Sequence, residues 1–270
     1  MIKAVGMILN RRNEEAVDCA RKASLFFQQN GTDAFDMQRE TSAKDPDLII
    51  TFGGDGTLLL GAQYAMEYGI PLMGVNLGTV GFLTETEPRR LEKSLQSIIS
   101  GNYHTESRSV LEIQNHKTKT THYALNDAVI TRGGYARLIQ VEAFVNNKEF
   151  GVFTADGIIV ATPTGSTGYS MSAGGPIVEP AMDCMTITPV CAHSLQHCPC
   201  VVSAASRIRI LLRHEREQTA ELQIDGQNKG MLSSGDEVSI SVADKKIMLI
   251  RFHDYDFFGL MRKKLIEWGS

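Results

Sequence analysis

Several features that would place this chain in a simple class are missing from it. No apolar run in its 270 residues approaches the roughly 20 needed to cross a bilayer. The opening residues, Met1 to Met7, do not follow the charged, then apolar, then small-residue layout of a secretory signal. Positive charge is short: 27 Lys and Arg stand against 31 Asp and Glu, a formal net charge of -4. That balance excludes a nucleic-acid binder driven by bulk attraction to phosphate, although a local basic cluster would still suit a small anion. Cysteine is sparse, with 5 residues, an odd number without disulfide-like spacing. The pattern suggests a reducing cytoplasm, with each thiol acting as a small buried hydrophobe. Neither an internal repeat nor a low-complexity linker interrupts the chain. What remains, 43% hydrophobic and 21% charged, is ordinary for a globular protein and long enough for one large domain or two.

The stretch that organises the chain is Gly53-Gly54-Asp55-Gly56-Thr57. Ahead of it, residues 47–52 form an apolar run with the length and Ile content of a buried parallel strand, and residues 58–66 continue as a helix. Strand, glycine turn and helix start together present backbone N–H groups and a helix N-terminus to an anion, usually phosphate. No Gly-Lys-Ser/Thr follows, so the turn is not a Walker A loop, and no G-x-G-x-x-G occurs there. Asp55 is the odd member. A carboxylate beside a phosphate cradle is unfavourable unless it accepts a proton from an attacking hydroxyl or helps hold a cation. The competing explanation is that Asp55 only caps the helix.

Around this turn, residues 2–9 read as a strand and Asn13 as the N-cap of a helix ending near Asn30-Gly31. Residues 70–76 form the third strand, and Pro88 opens a helix with Leu91, Leu95, Ile98 and Ile99 on its apolar face. Such alternation implies a parallel sheet flanked by helices, with ligands outside the strand C-termini, where Gly54 and Asn76 fall. From Gly101 the texture changes to short alternating runs, including a hairpin of residues 138–145 and 149–153 around Asn146-Asn147-Lys148, and further runs at 207–212, 221–224 and 237–242. These describe an antiparallel all-β unit. The expected organisation is an α/β domain over residues 1–100, a β-rich domain over 101–252 and a C-terminal segment over 253–270. That last piece is amphipathic, and its basic face of Arg262, Lys263 and Lys264 is too small for a membrane-surface helix, so docking is expected.

Within residues 123–130 the polar pair Asn126-Asp127 interrupts an apolar strand. It either hydrogen-bonds ligand hydroxyls and a base edge or marks a bulge or tight turn. Residues 154–170 run from a buried strand into a loop of Thr162, Thr164, Gly165, Ser166, Thr167 and Gly168, with Tyr169 available for stacking. Such a loop offers uncharged donors suited to a nucleotide's base and ribose, and its length disfavours an ordinary turn. Cys191, His193, His197, Cys198 and Cys200 could in principle ligate zinc, but no C-x-x-C pair or second half accompanies them, so packing or ligand-lining roles are favoured. Asp225-Gly226 signals a hairpin turn.

Taken together these residues resemble the NAD kinase family. The likeness extends over nearly the whole chain: Gly53 to Thr57, Gly74-Val75-Asn76 with Gly81-Phe82-Leu83, Asn126-Asp127, Asp156 to Tyr169, Cys191 to Leu195, Asp225-Gly226-Gln227, and the closing Phe257-Phe258 with Leu265-Ile266-Glu267-Trp268. Diacylglycerol-type lipid kinases and phosphofructokinases carry a similar Gly-Gly-Asp-Gly turn. The Thr162-Pro163-Thr164-Gly165-Ser166-Thr167 loop following Asn126-Asp127 separates this chain from them.

The resemblance implies transfer of a phosphoryl group from ATP or polyphosphate to the 2′-hydroxyl of the adenosine ribose of NAD, giving NADP. Mg²⁺ or another divalent cation would accompany the donor, and no residue of this chain is assigned as a metal ligand. It further implies a Rossmann-like parallel-sheet domain, an antiparallel stacked-sheet (β-sandwich) domain, an active site between them and a tail that returns to the first domain. The implied protein is a cytoplasmic homo-oligomer, commonly a tetramer, without nucleic-acid or membrane partners. Asp55 would orient or deprotonate the hydroxyl, while Gly53, Gly54, Gly56 and Thr57 address phosphates. NAD would meet Gly56, Asn76, Phe82, Asn126, Asp127, Asp156, Ser166, Thr167, Gly168, Tyr169 and Gln227. Within that set the resemblance gives adenine to Asn126 with Thr167, Tyr169 and Phe82, and ribose hydroxyls to Asp127. It gives the nicotinamide end to Gly168 and to Asp156 from a neighbouring subunit. The family often has Ala where Gly168 stands, and commonly Arg where Cys198 precedes Pro199, so a charge role there lapses. Two other classes stay open: a lipid kinase with an apolar substrate cleft, and a dinucleotide sensor without turnover, against which Asp55 argues because it would only repel phosphates.

Overall fold

A computed structural model describes residues 2–39, 45–78, 81–133, 138–193, 198–213, 218–253 and 256–269. The chain forms two compact units, Met1–Ser107 with Ile247–Ser270, and Arg108–Lys246. The sequence texture had placed the divisions at 100/101 and 252/253. Among the described residues no helix is long and apolar enough to cross a membrane.

The first unit contains β1 (Ala4–Leu9), α1 (Glu14–Gln29), β2 (Asp33–Asp36), β3 (Leu48–Gly53), α2 (Asp55–Tyr68), β4 (Leu72–Asn76) and α3 (Leu91–Ser100). β1, β3 and β4 are buried almost throughout, as their continuous apolar runs require of strands covered on both faces. They pair in parallel in the order β2-β1-β3-β4, and Leu249, late in the chain, continues the order by pairing in parallel with Leu72. Asn13 caps α1 by accepting from the amides of Glu15 and Ala16. Ala16, Ala20, Ala23 and Phe27 of α1 and Leu91, Leu95 and Ile98 of α3 share one core with Val5, Ile50 and Val75 of the sheet. The strand β2 was missed: its sequence, Asp-Ala-Phe-Asp, has no apolar alternation, and it forms because an edge position beside β1 leaves its side chains partly in solvent.

The second unit holds β5 (His104–Asn115, entering from the first unit), β6 (Thr120–Ala124), β7 (Asp127–Arg132), β8 (Ile139–Val145), β9 (Lys148–Ala155), β10 (Gly157–Ala161), α4 (Tyr169–Ser172), β11 (Cys184–Val190), β12 (Cys200–Ser203), β13 (Ile208–Leu212), β14 (Thr219–Ile224), β15 (Gln227–Ser233) and most of β16 (Glu237–Arg251). One antiparallel sheet has the order β12-β11-β10-β7-β14-β15. The strands β16, β13, β8 and β9 pair antiparallel, as do β5 and β6. Inward residues of both sets, among them Leu111, Ala143, Ile210 and Val238 on one side and Ile130, Val160, Met185 and Leu222 on the other, form a single core. This is the expected stacked-sheet domain. The hairpin β8–β9 turns through Asn146 and Asn147 at φ 52 and 63, a left-handed pair that Asn tolerates. β16 runs past the expected end at residue 242 through the exposed Asp244-Lys245-Lys246 into the first unit, where α5 (Phe257–Gly269) follows.

Candidate active site

In the first unit the glycine turn joins β3 to α2 at the C-terminal edge of the sheet. The N-cap of α2 is Gly54, which makes no side-chain cap bond, and Asp55 is the first helical residue. The capping alternative for Asp55 therefore does not hold. Its carboxylate instead accepts the backbone N–H of Phe82 (2.8 Å) and of Leu83 (3.2 Å). Gly81 makes this possible: a Cβ there would lie 2.2 Å from Asp55 Oδ1. Thr57 folds back over Gly53, and Gly53 pairs in register with Asn76 at the end of β4. A Cβ on Gly54 or Gly56 would meet nothing within 4 Å, so the space beside these two glycines at the helix start is open. Gly53, Gly54, Asp55, Gly56, Thr57, Asn76 and Phe82 thus form one group. The ring of Phe82 packs with Phe257, Leu260 and Met261 of α5, and Lys264 Nζ lies 4.2 Å from its centroid.

In the second unit the chain breaks between β6 and β7 at Leu125-Asn126, so the polar pair stands at a strand junction rather than inside one strand. The cause is Asp225. Its side chain accepts the N–H groups of Leu125 (2.8 Å), Asn126 (2.8 Å) and Asp127 (3.1 Å), which a continuous ladder would have paired. Asp225 and Gly226 form the expected hairpin turn between β14 and β15 with φ of 46 and 75. The anchoring role of Asp225 was missed because its Asp-Gly dipeptide is fully explained by the turn alone. Burial raises the titration of Asp225 even though the three amides oppose it. Burial also pushes Asp127 up to about 7, with the Asp225 charge adding to the effect.

The hydroxyl-rich loop closes on the same junction. Thr162 donates its Oγ1 to Leu125 O (2.6 Å) and its N–H to Asn126 O (2.9 Å). Gly165 is pressed so close that a Cβ would sit 2.1 Å from Asn126 O. A Cβ on Gly168 would be 3.6 Å from Asn126 Nδ2 and 3.9 Å from Asp127 Oδ2. Asn126, Asp127, Gly168 and Gln227, two residues beyond Asp225, are therefore neighbours in this unit. Asn126 Oδ1 is buried and has no hydrogen-bond partner among the described residues, an orphan acceptor that a ligand N–H would satisfy. Thr167 bonds Thr164 O, and Tyr169, 45% exposed, starts α4. Ser166 is fully buried, its hydroxyl donating to Pro163 O and accepting from Val178 N. Asp156 lies elsewhere: it precedes β10 and pairs with Arg132, whereas the loop follows β10, a strand length of about 16 Å away. The expectation that each thiol is a buried hydrophobe holds for Cys19 and Cys184 only: Cys191 and Cys198 are exposed and Cys200 half-buried, while His197 lies outside the described residues.

Residues 11–103 match the ATP-NAD kinase N-terminal domain, and residues 125–252 the ATP-NAD kinase C-terminal domain. An NAD kinase of Geobacter sp. (strain M21) is 43% identical over 231 residues, covering 84% of this chain and 80% of its own. One from Ruminiclostridium cellulolyticum is 34% identical over 282 residues, covering 98% of this chain and 99% of its own. Among solved structures, a yeast NADH kinase complexed with NADH aligns with a TM-score of 0.87 at 25% identity, covering 98% of this chain and 87% of that one. An NAD kinase from Archaeoglobus fulgidus in complex with ATP shares the fold, with a TM-score of 0.77 at 24% identity over 96% of this chain and 98% of its own.

Proposed function

The chain belongs to the NAD kinase family, a phosphotransferase family acting on NAD, and from that premise we propose how its own residues divide the work. The observation that carries the reading is Asp55: a carboxylate at a helix start, held by two backbone amides instead of capping the helix. Its lone pairs outside those bonds face the role of accepting the proton of the ribose 2′-hydroxyl as that oxygen attacks the terminal phosphoryl group of ATP. The amides of the α2 start, with open space over Gly54 and Gly56, address the phosphates. Phosphoryl transfer asks for alignment and charge stabilisation more than covalent help, so one placed carboxylate suffices. Among the described residues no three His, Cys, Asp or Glu side chains converge as metal ligands. The divalent cation is therefore read as travelling with the donor's phosphates, where it neutralises charge.

Asn126 takes the adenine: its orphan Oδ1 suits the exocyclic amine of that base. Asp127 takes ribose hydroxyls, Gln227 and Gly168 line the same dinucleotide, and Thr167 and Tyr169 border the base. Ser166 acts through the loop, its own hydroxyl being engaged by backbone. The distance of Asp156 from this group supports its serving the nicotinamide end in a second copy of a cytoplasmic homo-oligomer. The test is incubation of the purified protein with NAD, ATP and Mg²⁺, with the product identified by mass and by phosphorus–proton correlation at the 2′ carbon. NADP is the expected product. Product from polyphosphate alone would change the donor, and NAD binding without turnover on either would make the chain a sensor. Phosphorylation of diacylglycerol instead of NAD would make it a lipid kinase.

A further inference from the structure

Asp55 is held by amides that belong to a loop, and a loop holds a side chain only as well as it is itself held. Besides the packing of Phe82 on α5 and the bonds of Glu85 and Thr86 to β4, the loop is tied to a buried cation. Arg251, the last residue of β16, is 1% exposed. Its Nη1 donates to the carbonyl of Leu83 (3.2 Å) and to Glu85 Oε2 (3.0 Å), and its Nε donates to Glu106 Oε2 (2.8 Å). Glu85 Oε1 in turn accepts the N–H of Phe252 (2.9 Å). Leu83 is thus clamped on both sides: its N–H is given to Asp55 and its C=O taken by Arg251. A buried guanidinium with two carboxylates is costly to assemble, and a planar fork is what such a multi-point clamp needs. A core built only for stability would be as well served by apolar residues of similar volume.

We propose that Arg251 is a positioning residue for Asp55, fixing the Phe82–Leu83 amides and through them the carboxylate. The proposal rests on the reading of Asp55 as the base, but its test separates the two. In Arg251→Lys, which keeps charge and loses the fork, the Phe82 and Leu83 amides should exchange with solvent about tenfold faster while those of Ile49 and Ile50 do not change. With NAD and ATP the same variant should lose about 100-fold in kcat with little change in KM for NAD, the size expected when a reacting group is displaced by a fraction of its reach. In the Asp55→Asn background Arg251→Lys should cost less than about twofold more, because both changes act through one group. Glu85→Gln, which leaves Arg251 in place, should move all three readouts in the same direction by less. Unchanged exchange at Phe82 and Leu83, or kcat losses that multiply with Asp55→Asn, would overturn the proposal. Absence of NADP formation by the wild type would instead sink the assignment of Asp55, with amide exchange still deciding the role of Arg251.

Discussion

Asp55 begins a helix and Asp127 begins a strand, and the two aspartates are held in opposite ways. Asp55 receives two amides on its carboxylate, whereas the amides around Asp127 are given to Asp225, which leaves Asp127 buried beside a second carboxylate. Burial first, and Asp225 second, raise Asp127 to about 7 from an unfolded value of 3.8. Its folded form therefore keeps a proton that the unfolded chain has released. The contribution of Asp127 to stability should fall as pH rises between about 4 and 7 and then level off, by at most about 4 kcal/mol, and the raised Asp225 adds a slope of the same sign. Urea unfolding at several pH values should show a steeper slope in the wild type than in Asp127→Asn, where only the part due to Asp225 remains. Gly81 leaves room for the Asp55 carboxylate. The nearest atoms to a new Cβ are side-chain ends, Asp55 Oδ1 at 2.2 Å and Thr84 Oγ1 at 2.6 Å, which can move. Gly81→Ala should accordingly fold with a near-normal melting temperature yet lose about 100-fold in kcat, since the atom displaced is the reacting one. Both glycine and aspartate motifs were visible in the sequence. What they touch was not, because Gly81 and Asp225 meet their partners 26 and 98 or more residues away, and nothing local distinguishes them from turn formers.

At the scale of elements, the loop after β10 is held mainly by its own hydroxyls. Ser166→Ala removes an acceptor from the buried Val178 N–H and a donor from Pro163 O, so it should cost about 2 kcal/mol of stability. Thermal unfolding checks this, and the loss should be the same with or without NAD present at low concentration, because the hydroxyl faces the protein. The elements that were legible in the sequence are those whose local signals agree with their tertiary setting. β3 with the turn and α2, α1 with its Asn13 cap, and the hairpin β8–β9 are of this kind. Those that were not are decided by distant partners. β2 exists because β1 offers it an edge, and the Asn126 junction exists because Asp225 takes three amides out of the ladder. β16 continues through Asp244-Lys245-Lys246 because one stretch of a long strand can face solvent without ending it.

At the scale of the molecule, the chain leaves the α/β unit near residue 107 and returns at residue 247 to deliver Arg251 and α5. The segment from residue 247 onward is thereby part of the surroundings of Phe82, a dependence that no local pattern in residues 81–83 announces. Assembly is the other property of this scale. If Asp156 serves the site of a second copy, then Asp156→Ala and Asp55→Asn subunits, each nearly inactive alone, should regain a measurable fraction of wild-type turnover when co-expressed and purified as mixed oligomers. No recovery would confine each site to one chain. The central claim, that Asp55 performs the proton abstraction for NAD phosphorylation, is tested most directly by comparing kcat and NAD affinity in wild type and Asp55→Asn. The account predicts a fall in kcat of about 1000-fold with the dissociation constant for NAD changed by no more than about threefold. A variant retaining wild-type turnover would contradict it and leave Asp55 as no more than an anchor for the Phe82–Leu83 loop.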